Sequence, residues 1–328
     1  MLFTVIIPFW NRAVEVSCLL KSLDKQALSN NIILQVIISD SQSCKDIYPI
    51  LQNSISDYKN LLIEHVHTLN ILSKKRNFAI DLAKGEFLIF LDDDCIPADN
   101  FLNNCIKYTE TMQPKDVVCG EVRFLEEKVE SSNYFRYRDS KHPHPNSEIQ
   151  NMLNQWNFVA MNYIIRKQDI IDSGVYYDER FLGYGAEDHD YAYRLLKNNF
   201  RIIQGIQKIW HYEISGDIMT YTKKIFNCSK GGMMILENIH PELKNEFSKK
   251  KKLINFIFNN KFFGIFLFNL FFNTIIVNKI NKILVENDQN KKFFLKTLYR
   301  YVIVAAYLQG LHERKEVDYE QFKNSWYN

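Results

Sequence analysis

Short apolar segments alternate with amphipathic segments through the N-terminal part of the chain. Four apolar runs have the length and composition of buried strands: Leu2–Ile7, Ile32–Ile38, Leu61–Val66 and Phe87–Leu91. The first is expected to end at Pro8, and helical spacing predicts three intervening helices: Val14–Gln26, Asp46–Tyr58 and Ser73–Ala83. Strands and helices that alternate in this way predict an α/β protein with a mostly parallel, doubly wound sheet.

The alternation continues less regularly beyond this region. Three further strands and one helix are predicted: strands Val117–Phe124, Phe158–Ile165 and Arg201–His211, and helix Asp188–Lys197. Glu126–Gln150 lacks periodicity, and a loop of that length is more often functional or mobile than not. Tyr221–Asn238 has helical character.

Composition indicates a folded protein and an uneven distribution of charge. The 328 residues are 46% hydrophobic, which excludes a disordered chain. The net charge of +3 hides an excess of six acidic groups in residues 1–220 (23 basic, 29 acidic) and of ten basic groups in residues 221–300 (15 basic, 5 acidic). The acidic part could hold a metal ion, and the basic part could meet anionic lipid.

Cysteine and histidine usage bears on compartment and on zinc. The six cysteines are scattered without a C-x-x-C pair, which favours a reducing compartment and argues against a structural zinc site. His65-x-His67 and His142-x-His144 have no suitably spaced Cys or carboxylate, so zinc is disfavoured at both. Because the N-terminus leads directly into a strand, no signal peptide is expected, and we predict a cytoplasmic protein.

Three consecutive carboxylates, Asp92, Asp93 and Asp94, follow the apolar run Phe87–Leu91. Ligands of parallel α/β sheets gather at the carboxyl ends of strands, and no Lys or Arg within the motif neutralises this charge. A divalent cation bound to a phosphorylated ligand would do so. The alternative is a solvated acidic turn in which Asp99 caps the helix predicted from Asn100 to Tyr108.

A second acidic cluster spans Gly183–Asp190. Glu187 and Asp188 fall at the start of a predicted helix, where the helix dipole favours an ionised carboxylate. Asp188 is therefore a candidate proton acceptor, or else an ordinary N-cap. His211 ends the strand Arg201–His211 as either a structural residue or a metal ligand, and mixed imidazole and carboxylate donors suit Mn²⁺ or a similar ion.

The C-terminal region carries a basic run, Lys249–Lys252, before the Phe-, Ile- and Leu-rich stretch Leu253–Val277. Repeated Asn residues interrupt this stretch and argue against a membrane-spanning helix. An interfacial helix on an anionic membrane surface, formed by residues 249–277, and a pair of core helices both remain open.

Five segments together resemble the family 2 glycosyltransferases of the GT-A fold. They are Pro8–Arg12 (P-x-x-N-R), Ile38–Ser43 (the D-D-G-S turn), Arg76–Phe87 (R-N-x-G-x-x-x-A-x-G-E-Y), Asp92–Pro97 (the D-x-D element) and Gly183–Asp190 (G-W-G-x-E-D-x-D). The last motif is shared with β-galactosyltransferases and chondroitin-polymerase-type transferases. The match covers about residues 2–215, with departures at Ser41, Gln42 and Tyr184.

The resemblance implies a GT-A domain in residues 1–220 and a helical region in residues 221–328. Residues 1–125 would be the nucleotide-binding half and residues 126–220 the acceptor-binding half. The resemblance also implies roles for individual residues. They are nucleotide or donor binding by Pro8, Phe9, Arg12, Asp40, Arg76, Asp92 and Asp93, metal binding by Asp94 and His211, acceptor or sugar binding by Tyr184, Gly185 and Glu187, and base catalysis by Asp188.

The implied activity is metal-dependent, inverting transfer of a hexose or N-acetylhexosamine from a UDP-sugar to a glycan or lipid-linked glycan of the bacterial surface. Mn²⁺ or Mg²⁺ would be the cofactor, and the enzyme would lie peripherally at the inner face of the cell membrane. A retaining GT-A transferase and an inactive glycan- or membrane-binding module are the alternatives. A nucleic-acid partner is disfavoured because the basic excess lies in a Phe-rich segment without the usual motifs.

Overall fold

The structure is a computed structural model that describes residues 2–41, 48–142, 151–214, 216–243, 268 and 270–314. The chain divides into two compact units. The sheet unit comprises Met1–Leu125, Lys141–Glu179 and Asp188–Glu213. The helical unit comprises Glu126–Ser140, Arg180–Glu187 and Ile214–Asn328.

The sheet unit is built on one sheet of eight described strands. They are β1 (Phe3–Phe9), β2 (Leu34–Asp40), β3 (Leu61–His67), β4 (Phe87–Leu91), β5 (Cys95–Pro97), β6 (Asp116–Phe124), β7 (Asn162–Arg166) and β8 (Arg201–His211). Their order is β3-β2-β1-β4-β7-β6-β8-β5. Strands β1 to β4 run parallel, as do β6 and β8, whereas β7 and β5 are antiparallel to their neighbours. The mostly parallel sheet is confirmed.

Helices cover both faces of this sheet because its central strands are apolar on both sides. Val5 and Ile7 of β1 pack into one core cluster, and the intervening Ile6 packs into the other. Successive strand residues face opposite sides, so a continuous apolar run needs two covering layers. The sheet unit's helices are α1 (Ala13–Ser29), α2 (Tyr48–Ile55), α3 (Leu72–Leu82), α4 (Phe101–Thr111), α7 (Lys167–Ser173) and α8 (Glu187–Lys197), the last of which begins one residue earlier, in the helical unit.

The described part of the helical unit contains mainly helices. They are α5 (Glu126–Ser131), α6 (Asn133–Asp139), α9 (Ile218–Asn227), a π-helical turn (Cys228–Gly232), α10 (Met233–Ile239), α11 (Thr274–Glu286), a 3₁₀ turn (Lys291–Phe293) and α12 (Lys296–His312). The helical prediction for Tyr221–Asn238 is confirmed. Most of the stretch 249–277 lies outside the described residues. No helix in the described part of the chain is both long and apolar enough to span a membrane.

Three sequence predictions of secondary structure are wrong in detail. Strand β1 continues through Pro8 to Phe9, where it still pairs with β2. Its pairing with β4 ends at Ile6. Proline is tolerated at Pro8 because the side of β1 toward β4 needs no backbone hydrogen bond at that position. The strand predicted from Phe158 begins only at Asn162, since Phe158 is buried in the core without strand pairing. The predicted loop after residue 125 holds α5 and α6 instead.

Candidate active site

The carboxyl ends of three parallel strands bring the first group of candidate residues to one edge of the sheet. Strand β1 ends at Phe9, which pairs with Asp40 at the end of β2. Strand β4 pairs with β1 and is followed directly by Asp92. This edge is where ligands of open α/β sheets bind. The first-strand, second-strand and D-x-D segments therefore converge as the sequence predicts.

Arg12 holds two of the three consecutive carboxylates. Its Nη1 lies 2.7 Å from Asp93 Oδ1 and 2.7 Å from Asp94 Oδ2. The backbone N–H of Trp10 donates a second hydrogen bond to Asp93, at 3.0 Å. Asp93 thus fastens the segment after β1 to the segment after β4.

The solvated acidic turn considered from the sequence is not what the structure shows. Asp93 and Asp94 are each only 5% exposed, and Asp99 makes no cap because Asn100 precedes helix α4 without a side-chain capping bond. No Lys or Arg lies within the motif itself, but Arg12 neutralises part of its charge from outside it. Arg12 reaches it from the chain after β1, and such a long-range partner is invisible in the local motif.

Arg76 binds the remaining carboxylate of the triplet. Its Nη2 lies 3.4 Å from Asp92 Oδ1, and its guanidinium stacks over Tyr177 with 4.9 Å to the ring centroid. Burial raises the pKa of Asp92, and the charge of Arg76 opposes that rise. The three carboxylates of the triplet thus face the two guanidiniums of Arg12 and Arg76 at this edge.

Asp94 and His211 form the candidate metal centre. Strand β5 pairs antiparallel with β8 so that Cys95 lies opposite His211, and the N–H of Tyr212 donates to the backbone carbonyl of Asp94. This pairing places His211 Nε2 3.3 Å from Asp94 Oδ2. Two ligand atoms at adjacent octahedral positions are about 3 Å apart for bonds of about 2.1 Å, so the pair fits a Mn²⁺-like ion.

The remaining imidazole nitrogen of His211 bears on this assignment. Nδ1 is buried and has no hydrogen-bond partner among the described residues. Phe124 packs against the ring, with 5.1 Å between ring centroids, and limits its rotation. Nε2 is therefore the nitrogen that faces Asp94, and the ring is held by packing instead of by a second hydrogen bond.

The residues predicted to contact the nucleobase, Asp40 and Phe9, are both buried but have different surroundings. Asp40 is fully buried at the end of β2, with Oδ2 3.1 Å from His65 Nε2. The Phe9 ring is fully buried within the hydrophobic core of the sheet unit, and its predicted place in the nucleotide pocket stays a prediction. Pro8 is buried beside it in β1. What β1 offers at this edge is the backbone carbonyl of Phe9.

Lys75 is a candidate site residue that the sequence interpretation missed. Its Nζ donates to the carbonyl oxygen of Phe9 at 2.7 Å and lies 5.7 Å from the ring centroid of Trp10. Burial lowers the pKa of Lys75 to about 8, although Asp93 and Asp40 act to raise it. The ammonium group of Lys75 has three N–H donors. Among the described residues, the carbonyl oxygen of Phe9 is its one hydrogen-bond acceptor.

A sequence signal for Lys75 does exist. In α3 the buried positions include Lys75, Arg76, Ala79 and Ile80, which share one helical stripe. Two cations on the apolar stripe of an amphipathic helix cost desolvation energy, which marks them as functional candidates.

The second acidic cluster separates into different environments. Asp190 is fully buried and binds Arg194 through two nitrogens, at 2.6 and 2.9 Å, so its role is structural. Asp188 is 29% exposed, and its Oδ1 accepts a 2.8 Å hydrogen bond from the backbone N–H of His189. His189 Nδ1 in turn donates to the carbonyl of Gln155 at 2.9 Å. Asp188 is thus an accessible carboxylate in the first turn of a helix.

The turn before α8 is shaped by close backbone packing within the helical unit. Gly185 has φ +89°, and a Cβ there would lie 2.6 Å from Cys228 Sγ. Ala186 also takes a positive φ, 71°, which costs an L-residue about 1 kcal/mol or more. Burial raises the pKa of the Tyr184 hydroxyl well above its ordinary value, so this hydroxyl stays neutral and can donate a hydrogen bond. Glu187 is buried as the first residue of α8.

Comparison with known proteins identifies the class to which this fold and site belong. Residues 4–174 match the sequence profile of glycosyl transferase family 2. The match spans more than half of the chain, and the chain therefore belongs to this family. It is a glycosyltransferase.

Two curated relatives match a shorter segment. One is the GalNAc(5)-diNAcBac-PP-undecaprenol beta-1,3-glucosyltransferase of Campylobacter jejuni, 33% identical over 96 residues, which are 28% of this chain and 29% of the relative. The other is an uncharacterized glycosyltransferase of Haemophilus influenzae, 34% identical over 93 residues, again 28% and 29% of the two chains. The matched segment thus spans less than a third of either relative.

Solved structures support the fold over nearly the whole chain. Residues 1–349 of S. aureus TarS superpose with a TM-score of 0.51 at 16% identity, covering 95% of this chain and 90% of that one. The same TarS fragment in complex with UDP gives 0.52 at 17% identity, with the same coverage. At this level of identity the likeness establishes the GT-A architecture alone.

Proposed function

We propose that this protein is a metal-dependent, inverting transferase that moves a hexose or N-acetylhexosamine from a UDP-sugar to a sugar hydroxyl of a bacterial surface glycan. The observation that carries the proposal is the pair formed by Asp94 and His211, 3.3 Å apart beyond the carboxyl end of β4. A carboxylate and an imidazole at this separation suit a divalent cation that accompanies a diphosphate.

Support for a UDP-sugar donor comes from the fold relatives. TarS has been crystallised in complex with UDP and with UDP-GlcNAc. In this chain the edge at the carboxyl ends of the parallel strands carries Asp40, Arg76 and Asp92, the residues that the family resemblance assigns to uracil, ribose and donor sugar. Lys75 adds a buried ammonium between Asp40 and Asp93 that can donate to ligand oxygens.

Asp94 and His211 would hold the metal ion, which when bound supplies positive charge to a diphosphate leaving group. Arg12 contacts both Asp93 and Asp94, so it keeps their carboxylates in place and can turn toward a phosphate, since its side chain is 42% exposed. Arg76, with 2% exposure, is fixed and positions Asp92. These residues organise the leaving-group side of the reaction.

Asp188 is the proposed general base. As the acceptor hydroxyl oxygen bonds to the anomeric carbon, the bond from that carbon to the diphosphate oxygen breaks, and Asp188 takes the hydroxyl proton. Its partial exposure and its place in the first turn of α8 suit this role, because the helix N-terminus stabilises the carboxylate until the proton arrives. A single displacement inverts configuration, so an α-linked donor gives a β-glycoside.

The acceptor proposal rests on the Campylobacter relative, whose name specifies β-1,3 glucosyl transfer to an undecaprenol-linked glycan. We infer a lipid-linked or surface glycan acceptor here too, with Tyr184, Gly185 and Glu187 contacting its sugar. The basic stretch that starts at Lys249 would bring the enzyme to the anionic inner face of the membrane.

The decisive variant is Asp188→Asn, which keeps shape but removes the base. Turnover of UDP-glucose and UDP-N-acetylglucosamine should fall by at least a hundredfold, since general base catalysis contributes about 10²–10⁴-fold. UDP affinity, measured by calorimetry with Mn²⁺, should be unchanged. Asp172→Asn, a surface carboxylate that accepts a hydrogen bond from Gln168, is the matched control and should turn over normally.

Two outcomes would contradict the proposal. Unchanged turnover in Asp188→Asn would remove that residue from the chemistry. Absence of both UDP binding and turnover in the unsubstituted chain would favour an inactive binding module on the same fold. The presence of Asp94, Asp188 and His211 together argues against such a module, because a decayed site would be expected to have lost at least one of them.

A further inference from the structure

A second group of possible metal ligands lies at the outer part of the same sheet edge. Asp40 is the last residue of β2, and His65 and His67 belong to the neighbouring strand β3. The pairing of the two strands places Asp40 opposite His67. Residues two apart on a strand share a face, so both imidazoles point to one side of the sheet. One ligand atom from each of the three residues lies within 4.8 Å of the other two.

The fold supplies the carboxylate ligand that the local sequence lacks. No carboxylate is suitably spaced with His65-x-His67 in the sequence, which by itself disfavours zinc. The parallel pairing of β2 and β3 supplies the carboxylate from 25 residues before His65. The ligand set is then two imidazoles and one carboxylate, a composition typical of zinc sites that keep an open position.

His65 is held as a metal ligand would be. Its Nε2 faces Asp40 Oδ2 at 3.1 Å, and its Nδ1 lies 2.7 Å from Gln52 Nε2, an amide nitrogen that rotation of the side-chain amide exchanges with the oxygen. A side-chain amide can present its oxygen, in which case Nδ1–H donates to Gln52 and leaves Nε2 as the ligating nitrogen. Metal-bound histidines nearly always have such a second hydrogen bond, which fixes the tautomer and the ring orientation.

His67 is the third member of the group, and its side chain has room to move. It is exposed, and among the described residues no hydrogen bond reaches its ring nitrogens. Its ring lies 4.9 Å from that of His65, and Tyr48 packs over both at 5.4 and 6.0 Å. Tetrahedral ligands at about 2.05 Å from zinc are about 3.3 Å apart, so only the outer ligand needs to move inward.

We propose that Asp40, His65 and His67 bind Zn²⁺ at a site separate from the Asp94 and His211 pair, and that zinc there excludes the nucleotide. The binding half stands on the three residues alone. The exclusion half rests on the proposed function, which assigns Asp40 to the nucleobase. Zinc withdraws charge from the carboxylate that it binds, which makes Asp40 a weaker hydrogen-bond acceptor for a base, so the two ligands compete.

The binding half is tested with the full chain carrying Asp94→Ala, which removes the other metal site. Calorimetric titration with Zn²⁺ should show one site, and addition of His67→Gln should weaken it at least tenfold. His142→Gln, taken from the other His-x-His pair, is the matched control and should change nothing. Unweakened binding in the His67→Gln protein would overturn the proposal, as would a loss of equal size in His142→Gln.

Co²⁺ provides a readout of ligand type and coordination geometry that calorimetry does not give. In the unsubstituted chain, bound Co²⁺ should give the visible absorption of a tetrahedral nitrogen and oxygen site, and His67→Gln should abolish it. A thiolate charge-transfer band would instead assign the metal to a cysteine and contradict the site. Either spectrum can be recorded in parallel with circular dichroism to show that the variant is folded.

The exclusion half is tested by titrating UDP with saturating Mn²⁺, with and without one equivalent of Zn²⁺. UDP affinity should fall at least tenfold in the unsubstituted chain and be insensitive to zinc in His67→Gln. Zinc binding without any effect on UDP would overturn the exclusion and leave the site standing. Failure of UDP to bind at all would count against the proposed function and not against the zinc site.

Discussion

At the scale of single residues, the acidic edge of the sheet combines a carboxylate held by several hydrogen bonds with carboxylates proposed to bind ligands. Asp93 ties Trp10 and Arg12 to the end of β4, whereas Asp94 faces His211. The triplet therefore performs two tasks within three positions. Replacing either acid should have a different consequence.

Asp94→Ala should weaken UDP binding in Mn²⁺ by at least tenfold while leaving metal-free UDP binding nearly unchanged. The reason is that, in the proposed site, Asp94 would act on the diphosphate only through the ion. Calorimetry with and without Mn²⁺ separates metal-dependent UDP binding from metal-free UDP binding. Equal loss in both conditions would mean that Asp94 acts on the nucleotide directly, or that the fold has shifted.

Lys75→Met should raise stability and lower affinity together. The buried ammonium costs the folded protein roughly 1–3 kcal/mol, as its depressed pKa of about 8 indicates, and Met fills a similar volume without charge. Chemical denaturation should therefore show a larger free energy of unfolding. UDP affinity should fall about tenfold, because the variant lacks the two N–H donors with which Lys75 would bind oxygen atoms of the ligand. A variant that is stabilised but binds UDP normally would remove Lys75 from the site.

The same residue predicts a pH dependence whose sign can be worked out. Between about pH 8 and the ordinary Lys pKa near 10.5, the unfolded chain holds a proton that the folded chain has released. The free energy of unfolding should therefore rise with pH across this interval in the unsubstituted protein, relative to Lys75→Met. Denaturation series at several pH values check this, and a difference that is flat with pH would contradict it.

At the scale of elements, the strands that hold the site were predictable, but the contacts between them were not. The bounds of β4 follow from an apolar run that is buried on both faces, and those of β8 from a more mixed pattern of apolar and polar residues. Arg12 and Asp93 are 81 residues apart, and Asp94 and His211 are 117 apart. Such pairings depend on strand order and register, which local periodicity does not encode.

The helical unit shows the same limit in another form. The region after residue 125 lacks a periodic pattern because α5 and α6 are short, and α6 begins with a cap in which Ser132 accepts from the N–H of Phe135 at 3.2 Å. Single turns of helix are too short to produce a readable stripe. The close approach of Gly232 to Gly185 is likewise a backbone contact without any sequence pattern.

Gly232→Ala tests that contact. A Cβ at Gly232 would lie 2.0 Å from the carbonyl oxygen of Gly185, and backbone on both sides leaves little room to adjust. We expect a loss of about 2 kcal/mol or more in the free energy of unfolding. Gly174→Ala is the control, because its φ of +65° strains alanine by about 1 kcal/mol while no atom lies within 4 Å. An equal or smaller loss at Gly232 would show that the turn can yield.

At the scale of the whole molecule, the chain is a family 2 glycosyltransferase whose sheet unit alone carries the proposed metal pair, base and nucleobase carboxylate. An acidic N-terminal part and a basic later part suit a cation site and an anionic surface, respectively. The proposed zinc site would make nucleotide binding sensitive to a second metal. These properties can be measured independently.

The central claim is inverting, Mn²⁺-dependent use of a UDP-sugar, and proton NMR of donor hydrolysis by the full chain tests it most directly. With water as the acceptor, UDP-glucose or UDP-N-acetylglucosamine should release the β-anomer of the sugar first, before mutarotation, together with UDP. Chelation of the metal should stop the release. Initial release of the α-anomer would contradict inversion, and release unaffected by chelation would contradict the metal site.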